Sequence, residues 1–320
     1  MKTGLNENAA LGDKDIHAVS TESVSFKSSG LSIAAVLYLP EGIAFPAAAI
    51  VVGHPGSGVK EQTAGVYAGM LAERGFIALT FDAAYQGESE GLPRGLEDPA
   101  QRVEDFKGAV SFLSTLAFVD AQRIGLFGMC ASGGYVIPAG VSDHRVKAVA
   151  TVIAADISRQ FRMGGDGSQD PAVIAHMLDA AAADRTAVAK GAEPGSFALF
   201  PADAEQARAM GDHVYQGWEY YNTERGQHPR SAKTLTWSSV DKIVTFDAFR
   251  FIGQLSPRPL LMVSGSKAAT LWMTREAFGA AAEPKELLVI EGASHMDLYD
   301  NMVYVSQAVE KVAEFFGREL

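Results

Sequence analysis

Short apolar runs alternating with amphipathic stretches organise most of this chain. Residues 47–52, 77–81, 124–127, 146–153, 260–264 and 287–290 are almost wholly apolar and are bounded by Gly, Pro, Asp or Ser. Runs of this kind suit strands buried on both faces of a parallel sheet. Between them, residues 63–74, 99–115, 131–139, 274–282 and 303–318 carry helical patterns. The alternation predicts a wound α/β fold, with a mostly parallel central sheet flanked by helices and right-handed crossovers. Upstream, residues 23–26 and 31–39 flank Ser28-Ser29-Gly30 and predict an antiparallel hairpin, preceded by a polar, loosely held segment over residues 1–22.

The alternation breaks once, for about a hundred residues between Ile153 and Pro259, too long for a plain loop. Residues 171–190 and 202–221 read as helices, and Trp218-Glu-Tyr-Tyr221 concentrates aromatic surface there. The expected organisation is a core of residues 23–153 and 246–320 interrupted by an insertion, 154–245. That insertion is either a lid over a substrate pocket or a packing excursion with its own small core. Insertions in wound α/β folds tend to lie where ligands enter, at the carboxyl ends of the strands, which favours the lid.

Composition narrows the function classes. The chain has 320 residues, 48% of them hydrophobic, enough for one large domain with an insertion. Its 27 basic against 38 acidic residues give a net charge of −11, which argues against nucleic acid as a partner. No apolar leader core opens the sequence and no run is long enough to span a bilayer, so neither export nor a membrane span is expected. With Cys130 as its single cysteine the chain forms no internal disulfide, and a reactive thiol is most easily kept reduced in the cytoplasm. CxxC and HExxH patterns are absent, so no metal site is expected. The partners left open are a small-molecule substrate and a second copy of the chain; surface Trp and Tyr residues suit either a dimer contact or the lid.

The chemistry centres on Gly128-Met129-Cys130-Ala131-Ser132, where an apolar strand turns sharply into a helix of small residues. This is the frame of a nucleophile elbow, a strained turn that tolerates only small neighbours, with sulfur in place of the usual hydroxyl. An inert buried cysteine is the alternative reading. A thiol nucleophile needs a base within hydrogen-bond reach. Of seven histidines, His295 alone follows an expected strand and precedes the last helix, placing it at the same end of the sheet as Cys130. Backbone N–H groups for an oxyanion are expected from Gly56 or Ser57 in Gly53-His54-Pro55-Gly56-Ser57-Gly58, and from Ala131. His54 reads as a structural loop histidine, Lys60 and Glu61 as a solvated ion pair, Asp82 as a loop brace and Ser132 as a helix cap.

These motifs, together with Phe81-Asp-Ala-Ala-Tyr-Gln-Gly-Glu-Ser89 and Gly292-Ala-Ser-His295, resemble the α/β-hydrolase superfamily, and within it a dienelactone-hydrolase-like branch in which cysteine can occupy the elbow. Gly58-Val-Lys-Glu-Gln62 and His295-Met-Asp-Leu-Tyr299 are similar to a subgroup with polyketide-transferring members. The order Cys130 then His295 matches the superfamily, in which the histidine comes last. The resemblance implies an acyl-enzyme mechanism on an ester, lactone or thioester, without metal or organic cofactor. The loop that usually supplies the acid reads Gly265-Ser-Lys-Ala-Ala-Thr270, with Ala269 where a carboxylate would fall. Asp156, one strand earlier, is therefore a candidate orienting acid, with a cysteine–histidine dyad that has no acid as the alternative. Glu276 and Asp297 are less suitably placed. Hydrolysis, acyl transfer to another acceptor, and binding without catalysis remain the three functional readings.

Overall fold

The computed structural model describes residues 16–320, so most of the expected loose segment 1–22 lies outside the described residues. The hairpin is longer than its sequence pattern: β1 (Val19–Ser28) pairs antiparallel with β2 (Leu31–Pro40) along its whole length. Most of the first half of β1 is polar and exposed, which is why alternation does not reveal it. The wound part follows as β3 (Ala47–Gly53), α1 (Thr63–Ala72), β4 (Ile77–Phe81), α2 (Pro99–Leu113), β5 (Val119–Met129), α3 (Ala131–Ser142) and β6 (Val146–Val152). The insertion carries α4 (Ile157–Met163), α5 (Pro171–Ala189), β7 (Ser196–Ala198), α6 (Ala204–Ala209), α7 (Asp212–Asn222), β8 (Thr234–Thr236) and α8 (Ser238–Val244). The chain then returns through β9 (Leu260–Gly265), α9 (Leu271–Ala280), β10 (Lys285–Ile290), α10 (Asp297–Asp300) and α11 (Met302–Glu319).

The main sheet has eight strands in the order β1-β2-β4-β3-β5-β6-β9-β10, parallel from β4 to β10. It is the expected α/β architecture. In β3, Ala49 and Val51 face the layer that contains α2, α3 and α9, while Ile50 and Val52 face α1 and α11. Burial on both faces is the physical reason these strands read as continuous apolar runs. On one side Phe81 and Phe106 meet edge to face at 5.2 Å; on the other Tyr67 tilts onto Phe127 at 5.4 Å. Val305, Ala308, Val309, Val312 and Phe316 of α11 recur at helical spacing and are buried.

Helix ends follow local chemistry. The Asp98 side chain accepts the N–H groups of Ala100 and Gln101 and Pro99 takes the first helical position, so α2 starts where the sequence indicates. The expected helix over 202–221 is instead two helices, α6 and α7, interrupted at Gly211, whose φ is +106°. The short helices α4 and α8 were not visible as periodic patterns. Among the described residues no helix is long and apolar enough to cross a membrane.

Lys60 departs from the solvated ion pair expected of it. It is 3% exposed, and its Nζ lies 2.8 Å from Asp82, 2.6 Å from Glu88 and 2.9 Å from Glu61. Asp82 also accepts the Lys60 and Glu88 backbone N–H groups, at 2.9 and 2.8 Å, and so ties the loop after β3 to the loop after β4. Removing the cation would leave the fully buried Asp82 carboxylate uncompensated. Lys60→Met is expected to destabilise the protein by about 3–5 kcal/mol in urea denaturation, far more than loss of a surface pair.

Candidate active site

β5 ends at Met129 and the chain turns into α3 at Cys130, with φ +51° and ψ −120°. A non-glycine residue at positive φ costs on the order of 1–3 kcal/mol and persists only where its surroundings hold it. Here the Cys130 N–H donates to the Val152 carbonyl at 3.1 Å, and its own carbonyl accepts the N–H groups of Gly133 and Ala155, both at 2.9 Å. Two glycines make the turn sterically feasible. A Cβ on Gly128 would fall inside the Ser132 carbonyl, and one on Gly133 would lie 2.7 Å from the Ala154 Cα. Cys130 is partly exposed, at a cavity of about 210 Å³.

The loop after β3 forms one wall of that cavity. The Gly56 carbonyl accepts the Tyr221 hydroxyl at 3.0 Å and the Ser57 carbonyl accepts the Ser231 hydroxyl at 2.8 Å. The backbone N–H groups of Ala131 and Gly56 act to lower the Cys130 thiol. Of the two expected loop donors it is Gly56 that acts on the thiol, and both it and Ser57, the latter at φ +66°, line the cavity. Ser132 does not cap its helix; its hydroxyl donates to the His54 carbonyl at 2.5 Å and locks the loop to the elbow. His54 is fully buried, with Nδ1 2.7 Å from the Pro55 carbonyl and Nε2 accepting the Ala83 N–H at 3.1 Å. Burial first, and Arg102 second, hold its imidazole well below the ordinary range, in keeping with a structural part.

His295 lies on the loop between β10 and α10, buried and lining the same cavity as Cys130. Its Nδ1 is 2.8 Å from the Thr270 hydroxyl, in the loop where a carboxylate was missing from the sequence. Asp156 is placed elsewhere. It is the N-cap of α4, accepting the N–H groups of Ser158 at 2.8 Å and Arg159 at 3.3 Å, and its second oxygen accepts Ala248 N–H at 3.1 Å. A carboxylate committed to three backbone donors is a structural pin, and the structure gives it no bond to the His295 ring. The hydroxyl at Thr270 was not singled out in the sequence, although it stands one residue past Ala269.

The insertion supplies the rest of the cavity wall. Phe161, Leu199, Phe200 and Val214 make it apolar, and His213 meets His295 edge to face at 5.2 Å. Arg225 fastens the insertion to the histidine loop through paired 2.8 Å bonds to Asp300 and a 3.2 Å bond to the Met296 carbonyl. Burial raises the Cys130 thiol, against hydrogen bonds from Tyr299, Ala131 and Gly56 that lower it. Burial, and then the neighbouring His213, hold His295 well below the usual imidazole range. Both shifts favour the uncharged forms, a thiol and a neutral imidazole, over a preformed thiolate–imidazolium pair.

With this geometry in place, the profile of the dienelactone hydrolase family matches residues 33–176. The uncharacterized protein YcjY of Escherichia coli K12 is 39% identical over 93% of this chain and 98% of its own length. The chain belongs to the dienelactone hydrolase-like α/β hydrolases. A crystal structure of the hypothetical protein PA2218 from Pseudomonas aeruginosa superposes at a TM-score of 0.86 with 34% identity, covering 100% of both chains. More distant is the thiohydrolase aneE of Aspergillus aculeatus, 28% identical over 89% of each chain. The hydrolase fold accounts for the location of the cavity, at the carboxyl ends of β3, β5 and β6 and beside the loops after β9 and β10.

The charge assignment has a direct spectroscopic consequence. The far-ultraviolet difference between the wild type and Cys130→Ser is expected to show no thiolate band at neutral pH, the band emerging only above the ordinary thiol pKa of about 8.5. His295 is expected to remain neutral, by NMR of its ring, until the pH falls well below about 6.5.

Proposed function

We propose that the protein is an acyl hydrolase with Cys130 as nucleophile, His295 as base and then acid, and the Gly56 and Ala131 N–H groups as oxyanion donors. The observation that carries this reading is the strained Cys130 turn, in one cavity with Gly56 and His295. The thiol attacks the acyl carbon while its proton passes to Nε2 of His295, and the carbonyl oxygen takes up the negative charge beside the two N–H groups. His295 returns the proton to the leaving group. It then takes one from the water that releases the acid.

Thr270 holds the ring in the acid's place, accepting Nδ1–H so that Nε2 is free to act as base; a hydroxyl does this without supplying a charge to stabilise the imidazolium. A weaker base suffices for a thiol, whose pKa of about 8.5 is far more accessible than that of an alcohol. The same argument favours thioesters over esters and lactones, since a thiolate departs with less help from an acid than an alkoxide does. The thiohydrolase name of aneE is in keeping with this. The cavity lining holds no Lys or Arg, so it suits a neutral, apolar acyl group and gives a carboxylated one no counter-charge. The insertion acts as the lid. Its apolar inner face also favours a second reading, in which the acyl-enzyme is shielded from water and passes its acyl group to another acceptor. A nucleophilic thiol is most easily kept reduced in the cytoplasm, which supports a cytoplasmic location.

Intact-mass spectrometry after brief exposure to a panel of acyl thioesters, activated esters and lactones tests the proposal beside Cys130→Ala and Cys130→Ser. The expected outcome is an acyl increment on the wild type that decays in water and is absent from Cys130→Ala. An increment that persists until an acceptor is added would assign the transferase reading. A folded protein that forms no adduct and turns over nothing in the panel would point to a binding protein.

A further inference from the structure

Tyr299 lies on the short helix α10, four residues beyond His295, and both side chains line one cavity. Its ring is 2% exposed and clamped on three sides: by Tyr220 at 5.0 Å and 88°, by Tyr221 at 6.5 Å and 90°, and by His295 at 5.6 Å. The backbone is fixed as well, since the Thr63 hydroxyl donates to the Tyr299 carbonyl at 2.9 Å and the Tyr299 N–H reaches the Met296 carbonyl at 3.1 Å. A clamped phenol has one freedom left, the direction of its O–H, and a buried O–H is costly unless it finds an acceptor. Tyr299 and Cys130 line the same cavity, and the Tyr299 hydroxyl acts to lower the Cys130 thiol.

We propose that Tyr299 is a catalytic residue, a hydrogen-bond donor to the Cys130 sulfur that stabilises the negative charge building on that sulfur as its proton leaves for His295. This rests on the assignment of Cys130 as nucleophile. As the S–C bond forms, the acyl C=O π bond gives its electron pair to oxygen and the thiol proton goes to His295. Tyr299 donates a hydrogen bond throughout and transfers no proton; burial, reinforced by the adjacent Cys130, keeps its phenol protonated far above neutral pH. The arrangement compensates for the absence of a carboxylate on His295. Charge that a fully stabilised imidazolium would otherwise balance is met by a neutral donor placed at the sulfur itself.

Tyr299→Phe keeps the ring and its three aromatic contacts and deletes only the hydroxyl. Tyr220→Phe is the control, because it belongs to the same cluster of rings without contributing a donor to Cys130. Two readouts are taken on each variant: the acylation rate constant with an N-acetylcysteamine thioester, and the pH dependence of Cys130 alkylation by iodoacetamide. The expected result for Tyr299→Phe is acylation slowed by about a hundredfold with KM little changed, and an alkylation profile displaced to higher pH. Tyr220→Phe should match the wild type in both. Equal, small effects in the two variants would overturn the proposal and leave Tyr299 as packing. The alkylation arm needs no acyl substrate, so a wild type that fails to acylate refutes the nucleophile assignment, while an unmoved alkylation profile refutes the bond from Tyr299 to sulfur.

Discussion

The site depends on one backbone constraint: Cys130 is held at positive φ at the top of β5. Everything packed around the turn is small or already committed. Gly128 and Gly133 allow α3 to approach the ends of β5 and β6, and the Cys130 peptide is bonded on both sides to the β6 end of the sheet. Ser132 joins this turn to the loop after β3 through the His54 carbonyl, so the two segments that carry Ala131 and Gly56 are tied together by a buried hydrogen bond. The strain at one residue is thus carried by two neighbouring strands and a loop, which is how a local cost of order 1–3 kcal/mol can persist in a folded protein.

A second feature follows from burial. His295 has a hydroxyl at Nδ1 and a second imidazole against its ring, and the cavity has no charged side chain in its lining. Burial and the second imidazole disfavour the imidazolium, and the hydroxyl supplies no charge to offset them. In the proposed mechanism this weak base is paired with a thiol, so that charge appears only during reaction and where donors await it. The insertion belongs to the same arrangement: Tyr221 fixes the Gly56 carbonyl, Arg225 grips the histidine loop and His213 faces the base. Residues distant in sequence therefore act on all three parts of the site.

The sheet was legible because it is buried on both faces, which leaves continuous apolar runs such as Ala49 to Val52, and α11 was legible through its spacing of buried residues. The outer half of β1 was not, being held by pairing with β2 rather than by burial. In the insertion, the break at Gly211 and the short helix begun by Asp156 carry no periodic signal. The small-residue frame around Cys130 and the position of His295 after a strand brought both candidates out of the sequence. Asp156 reads the same in sequence whether it orients a histidine or caps a helix, and only the Ser158, Arg159 and Ala248 bonds distinguish the two. Thr270 escaped notice because a hydroxyl standing where an acid is expected looks like an absence.

The central claim is that Cys130 and His295 form an uncharged pair in which proton transfer accompanies attack on the acyl carbon. The solvent deuterium isotope effect on the acylation rate constant, measured by rapid mixing under single-turnover conditions, tests it most directly. A moving proton should make acylation distinctly slower in D₂O. An isotope effect of unity or below would mean that the thiolate is already formed before substrate arrives, and would contradict this account of the site.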